Sequence, residues 1–389
     1  MTSFSATTTV QPLILYASAV ALIFMGLYLP ANRRDAILPL IWAVLAASMQ
    51  DIRQLDWIPG FGYQFGMLVI ITFLCSPLIF HTRKEPLKIE VKADGSLNWN
   101  LATAYKIYNN PRMLPINLEK YSKIPPVSNS RLVQFTLYRL LKAAFFVAIK
   151  IGLGFVMTPI FSTCTLEDFS PAREPIIRRL IYDTVSLHDL GIRAFISTIW
   201  IFDSVSQLEI SHALVGVLFV AILRVDELHE WPPLFGSPLE AYSLRQFWGR
   251  FWHRLFTSAG VWARVIVDQK LLSWLPISVK KIFVAFSIFT MSGVAHALVG
   301  RSIGDSALER DVLFFWFNFL AVCFEIIVSK CWSTKQPAYL LRRVESQGRA
   351  FHVLRKLLGF LWVLAFFMWS TPRLVYPKIH ALLLASITK

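Results

Sequence analysis

Twenty consecutive residues, Phe61 to Phe80, contain no charged side chain. A helix needs about 20 mostly apolar residues to cross the hydrocarbon core of a bilayer. Pro12–Leu29, Phe283–Gly300, Leu313–Val328 and Phe351–Trp369 are further mostly apolar candidate spans. Ala36–Met49 is shorter and is flanked by Arg33, Arg34 and Asp51. Leu137–Phe161 is longer and encloses Lys142 and Lys150, which either snorkel or face the bundle. Leu190–Leu223 is interrupted by Asp203, Ser204, Ser206, Gln207 and Glu209. It reads either as two short spans or as one long broken span. The tail after Pro372 reads as a short terminal or interfacial helix.

Composition supports the same class. Hydrophobic residues make up 55% and charged residues 16% of the 389, whereas soluble globular proteins carry about 25% charged residues. A disordered chain, a collagen-like chain and a typical soluble enzyme are excluded. The expectation is an all-α, polytopic integral membrane helical bundle of about eight spans. It forms a single domain, 1–389, with a cytoplasmic or interfacial motif segment at 224–281. The uncharged, Thr/Ser-rich Met1–Val10 lacks the basic region of a cleavable signal peptide, so the first helix is expected to be retained.

The net charge is +15. In a membrane protein, excess Lys and Arg marks cytoplasmic loops and calls for no nucleic acid. Three basic segments, His81–Gln134, Arg224–Lys281 and Lys330–Lys356, are therefore assigned to the cytosol. That leaves one net crossing in Leu190–Leu223 and places the N-terminus in the lumen. Cys75, Cys164, Cys323 and Cys331 have neither zinc-ligand nor disulfide-framework spacing, so no metal is expected.

Two regions carry candidate chemistry. The first is Arg224–Leu255, too polar to span, with turns at Pro232-Pro233 and Gly236-Ser237-Pro238. After Ser243, Leu244, Phe247, Trp248, Phe251, Trp252 and Leu255 recur at spacings of three and four, interleaved with Arg245, Arg250 and Arg254. This predicts an amphipathic interfacial helix, either a surface anchor or a basic, aromatic mouth for a phosphate-bearing acyl donor. The second region is Phe283–Gly300, where His296 lies deep in an apolar run. An imidazole there should face protein or a wet cavity rather than lipid. It is either a satisfied core group or a general base, the natural role of histidine near neutral pH. The neighbouring Ser292, Gly293, Ala295 and Ala297 leave room for a ligand or for a close helix.

Other features are weaker. His212 could line a cavity, and Asp203, Glu209 and Glu325 are candidate buried acids that could pair with arginine, orient a histidine or serve proton-coupled transport. The pentapeptide HALVG begins at His212 and again at His296, which chance explains in so apolar a chain. GxSxG, HxxxD, Walker A and GxGxxG motifs are absent from the sequence.

Trp231-Pro232-Pro233-Leu234-Phe235-Gly236-Ser237-Pro238, Ser243-Leu244-Arg245-Gln246-Phe247-Trp248-Gly249-Arg250-Phe251-Trp252-His253 and Met291-Ser292-Gly293-Val294-Ala295-His296 occur in that order. Together they resemble the signature of wax-synthase-like proteins in the membrane-bound O-acyltransferase superfamily. The tight resemblance covers roughly Trp231–Gly300, and the fungal branch is most similar. The resemblance implies a helical bundle with an internal tunnel in the endoplasmic reticulum membrane. It implies transfer of an acyl group, acetyl first, from acyl-CoA to a hydrophobic alcohol such as a terpenoid or meroterpenoid. Acyl-CoA is a cosubstrate, and no resident cofactor is implied. The essential histidine of the family maps to His296, and a second polar position maps to His253, where many relatives carry Asn. Trp248, Trp252, Arg245, Arg250 and Arg254 are the expected substrate contacts. Long-chain wax ester synthesis is the alternative within the family, and a multi-pass transporter is the alternative outside it.

Overall fold

The computed structural model describes residues 6–82, 85–91, 97–110, 128–182, 184–268, 272, 274–305, 307–335 and 349–387. Its helices, in chain order, are α1 (Ala6–Leu27), α2 (Ala31–Ser48), α3 (Phe61–Thr82), α4 (Leu101–Tyr108), α5 (Asn129–Ser162), α6 (Ile176–Ile181), α7 (Leu187–Val217), α8 (Leu244–Gln246), α9 (Thr257–Val267), α10 (Ile277–Ser302), α11 (Leu308–Lys335) and α12 (Arg349–Ile387). Two two-residue strands, Glu90–Val91 and Leu97–Asn98, pair antiparallel. Residues 111–127, the centre of the first expected cytoplasmic loop, lie outside the described residues, as do residues 336–348 of the third.

Seven of these helices are long and apolar enough to cross a membrane: Val10–Leu27, Phe61–His81, Asn129–Ser162, Leu187–Ile222, Ile277–Ser302, Leu308–Cys331 and Val353–Ile387. The chain is thus a multi-pass integral membrane protein, a helical bundle whose described residues add one short strand pair. The further expected span, Ala36–Met49, is also helical, within α2, but that helix opens with Arg33, Arg34 and Asp35. Leu190–Leu223 is one long element: α7 runs to Val217 and continues as a π-helical turn over Leu218–Ile222.

The expected break near Pro372 is absent, because α12 passes through both Pro372 and Pro377. Proline is tolerated in membrane helices, where neighbouring groups satisfy the carbonyls it frees. The amphipathic helix predicted to reach Leu255 is shorter than its pattern. After α8 it widens into a π-turn over Phe247–Phe251, closed by the Trp252 N–H donating to the Phe247 carbonyl at 2.7 Å, and Trp252 itself is extended.

Two compact units result. The first comprises residues 1–124 and 254–316, and the second residues 125–253 and 317–389. In the first, Ile23, Leu27, Ile41, Leu45, Ile52, Leu55 and Val299 are fully buried in one apolar cluster with Phe65 and Val69. In the second, Phe169, Ile192, Ile196 and Tyr376 form a smaller cluster. There α7 begins with a capping box: Ser186 accepts from the Asp189 N–H, and Asp189 accepts from the Ser186 N–H at 3.0 Å. The same carboxylate pairs with Arg179 at 2.8 Å and Arg173 at 3.2 Å.

The polar residues of α5 and α7 meet one another. Lys142 pairs with Glu209 at 2.8 Å and Lys150 with Asp203 at 2.7 Å. Lys150 also donates to Gln207 at 3.1 Å. Both lysines therefore face a neighbouring helix, and the two acids pair with lysine rather than with arginine or histidine.

Candidate active site

In the first unit, α10 carries His296, and the small residues around it set how closely a neighbour can approach. A Cβ on Gly293 would lie 2.8 Å from the Val312 Cα of α11, too close for a backbone contact. Of the two possibilities left open by the sequence, a close helix is the one realised at Gly293. Ala295 and Ala297 are likewise buried. Trp316 of α11 donates its indole N–H to the Thr290 hydroxyl at 3.0 Å, a second tie between the two helices.

This close packing places the Phe315 ring 5.1 Å from the half-buried His296 imidazole, at an interplanar angle of 25°. Opposite chemistry comes from α3, where the Tyr63 hydroxyl is hydrogen-bonded to Nδ1 of His296. Nothing in the local sequence marked Tyr63, because it lies 233 positions away in an unremarkable apolar run.

The second unit holds the signature block. Gly236 donates its N–H to the Phe251 carbonyl at 2.9 Å, and a Cβ there would meet the Arg250 carbonyl oxygen at 2.2 Å. The Gly-Ser-Pro turn is thus pressed against the π-turn, and only glycine allows that approach. Leu244, Phe247 and Phe251 are buried beneath it.

The N-terminus of α8 is satisfied twice. Ser243 accepts from the Gln246 N–H at 3.2 Å. Glu325 of α11 accepts from the Leu244 N–H at 2.7 Å, the Arg245 N–H at 2.9 Å and the Trp362 indole N–H at 2.7 Å. The sequence marked Glu325 as a buried acid, and its observed work is to occupy otherwise unpaired helix N–H groups.

The predicted aromatic contacts are held in place. Trp248 donates its indole N–H to Asn318, which is fully buried, at 2.9 Å. Trp252 stacks on Trp200 of α7 with centroids 6.0 Å apart and an interplanar angle of 6°. His253 meets the Phe235 ring edge-on at 5.6 Å. Trp200 and Asn318 carried no sequence signal.

The three predicted arginines have separate surroundings. Arg245 lines a cavity of about 640 Å³ together with Lys330, Arg355, Tyr242 and Trp362. Arg250 is exposed and lies 4.0 Å from Glu240. Arg254 belongs to the first unit, where its carbonyl accepts from the Thr257 hydroxyl at 2.7 Å. His296 likewise lies in the first unit, whereas Trp248, Trp252 and His253 lie in the second. Among the described residues no group of three or more His, Cys, Asp or Glu side chains gathers as a metal site would require.

Residues 231–317 match the model of the membrane bound O-acyl transferase family. The chain is also similar to curated fungal acetyltransferases. It is 30% identical to acetyltransferase spyB of Aspergillus fumigatus over 217 residues, 54% of this chain and 36% of that protein. It is 29% identical to acetyltransferase atnC of an Arthrinium species over 51% of this chain and 44% of that one. It is 27% identical to acetyltransferase TRI7 of Fusarium sporotrichioides over 46% and 40%. The matching region thus spans less than half the length of these relatives. No solved structure matches the chain.

Proposed function

We propose, from the membrane-bound O-acyltransferase signature that this multi-pass chain carries, that it transfers an acetyl group from acetyl-CoA to the hydroxyl of a hydrophobic alcohol. Terpenoid and meroterpenoid alcohols are the proposed acceptor class, and the endoplasmic reticulum is the proposed membrane. The single supporting observation with most weight is that the matched segment, residues 231–317, contains both the Trp-Pro-Pro block and His296. The names of the similar proteins favour acetyl over longer acyl groups.

His296 acts as general base through Nε2. It takes the proton of the acceptor hydroxyl, and the oxygen attacks the thioester carbonyl. The tetrahedral intermediate collapses, the C–S bond breaks, and the CoA thiolate recovers the proton from the imidazolium. Ester and free CoA leave, with no enzyme-bound acyl group. The proposed role of His253, with Trp252 and Trp248 beside it, is to orient the acyl donor. Arg245 binds the CoA phosphates with Lys330 and Arg355, which line the same cavity. Arg250 and Arg254 are secondary contacts for the same phosphates.

The test is acyl transfer in microsomes from cells expressing the chain, with labelled acetyl-CoA and palmitoyl-CoA and a panel of terpenoid and long-chain alcohols. Acetyl ester formed by the wild type and lost in a folded His296→Ala variant is the expected result. Preference for palmitoyl-CoA would make the chain a wax ester synthase. Substrate flux into liposomes without CoA would make it a transporter. Replacing Arg245 and Lys330 together by Gln raises KM for acetyl-CoA by about fivefold or more, the equivalent of roughly 1 kcal/mol.

A further inference from the structure

We infer that Tyr63 is the positioning residue for His296, accepting a hydrogen bond from Nδ1–H so that Nε2 presents the lone pair that takes the substrate proton. This rests on His296 being the general base.

A neutral imidazole has one N–H and one lone pair, and the partner of one nitrogen decides which nitrogen carries which. A base working through Nε2 therefore needs its proton on Nδ1 and an acceptor beside Nδ1. The Tyr63 hydroxyl is a hydrogen-bond partner of Nδ1. A phenolic oxygen both donates and accepts, so it can take this bond. Aspartate fills the corresponding place in serine-protease triads. A phenol supplies the acceptor without bringing a formal negative charge against the base.

The same bond outlasts the chemical step. When Nε2 has taken the proton, the imidazolium still donates from Nδ1, and the bond to the phenolic oxygen becomes charge-assisted and stronger. Tyr63 thus sets the tautomer before transfer and supports the cation after it.

The architecture holds the pair. The α3 backbone approaches α10 at Gly66, where a Cβ would lie 2.9 Å from a Val299 methyl. Val299 and Phe65 are buried in the same cluster. On the other side, Phe315 stacks on the imidazole and fixes its plane. Two carboxylates lie near the Tyr63 hydroxyl, Asp305 after α10 and the buried Asp311 on α11. From α9 the contact with α10 is apolar, Gly260 against Ile288.

The experiment compares wild type, Tyr63→Phe and His296→Ala in the same microsomal assay, with each variant checked as monodisperse after detergent extraction. For Tyr63→Phe, kcat falls by about ten- to a hundredfold, short of the roughly 10² to 10⁴ that a general base supplies in full. KM for acetyl-CoA stays near wild type. Because the imidazolium loses its acceptor, the acid limb of the kcat profile moves to lower pH, by roughly half a unit to one unit. A wild-type kcat, or a lower kcat with an unmoved acid limb, overturns the inference while leaving His296 as the base. An active His296→Ala overturns both.

Should Tyr63→Phe fail to fold, ¹⁵N-histidine spectra of the wild-type chain decide, with His296 identified by its absence in His296→Ala. A protonated Nδ1 with a bare Nε2 is the expected tautomer, and the reverse overturns the inference.

Discussion

The pentapeptide HALVG occurs once in each compact unit, and the two copies show how little a local sequence says about the chemistry of its histidine. Both copies are helical: His212 lies on α7 and His296 on α10. His212 has its Nδ1 3.0 Å from a guanidinium N–H of the buried Arg139, which also donates to the Trp231 carbonyl. Arginine only donates, so Nδ1 of His212 must accept, and its proton is confined to Nε2. His212 is therefore tied into the packing of α5, α7 and the Trp231 loop. At His296 the partner of Nδ1 is a phenol, which can accept as well as donate, so the inferred tautomer carries its proton on Nδ1. The identical sequences acquire opposite proton inventories from residues far away in the chain.

The comparison can be broken most directly by removing each imidazole. His296→Gln lowers kcat by about 10² to 10⁴, whereas His212→Gln leaves kcat near wild type. Equal losses in the acyl-transfer assay would show that the two histidines are not divided as described.

Arg139→Met tests the second environment by stability. It deletes two hydrogen bonds from a buried cation, and thermal unfolding in detergent should show a loss of about 3 kcal/mol. The pH dependence of kcat is unchanged, since His296 is untouched.

Gly293→Ala tests the first environment. Its Cβ would push on the backbone of α11 at Val312, so stability falls by about 1 to 3 kcal/mol and kcat drops as Phe315 shifts from the imidazole.

The final glycines of the two pentapeptides give the smallest difference. A Cβ on Gly216 lies 3.1 Å from the Trp231 ring, whereas on Gly300 it lies 3.4 Å from Asp305, an ordinary contact. Gly300→Ala thus gains up to about 1 kcal/mol of helix propensity, and Gly216→Ala gains less. Equal melting temperatures for the two variants would mean that the Trp231 side gives way freely.

The membrane helices were legible because lipid imposes one rule along a whole segment. Phe61–Phe80 became α3 and Phe283–Gly300 lies within α10. Interruptions were harder to interpret. Pro372 and Pro377 signal a stop in water but not in a membrane helix, so α12 was underestimated. The aromatic period after Ser243 identified the buried set Leu244, Phe247 and Phe251, yet periodicity cannot show that a π-turn ends the element before Trp252.

In the candidate site His296 stood out because imidazole is costly in lipid. Tyr63 did not, because a tyrosine among apolar residues fits any membrane helix. Lys142, Lys150, Asp203 and Glu209 were visible as charges out of place, but their pairing depends on how α5 lies along α7. Arg245, Arg250 and Arg254 looked equivalent on one helical face. The end of that helix separates them, and of the three Arg245 lines the described cavity.

The clasp of Glu325 and Asn318 on the signature helix has a consequence for modularity. The family-matched stretch ends at residue 317, before both of them. A chimera receiving residues 231–317 alone would carry every recognisable word of the signature and lack the groups that hold its opening N–H donors and the Trp248 indole. Successful exchange between relatives therefore requires the donor's own stretch of α11 through Glu325. The transplantable unit is longer than the recognisable one.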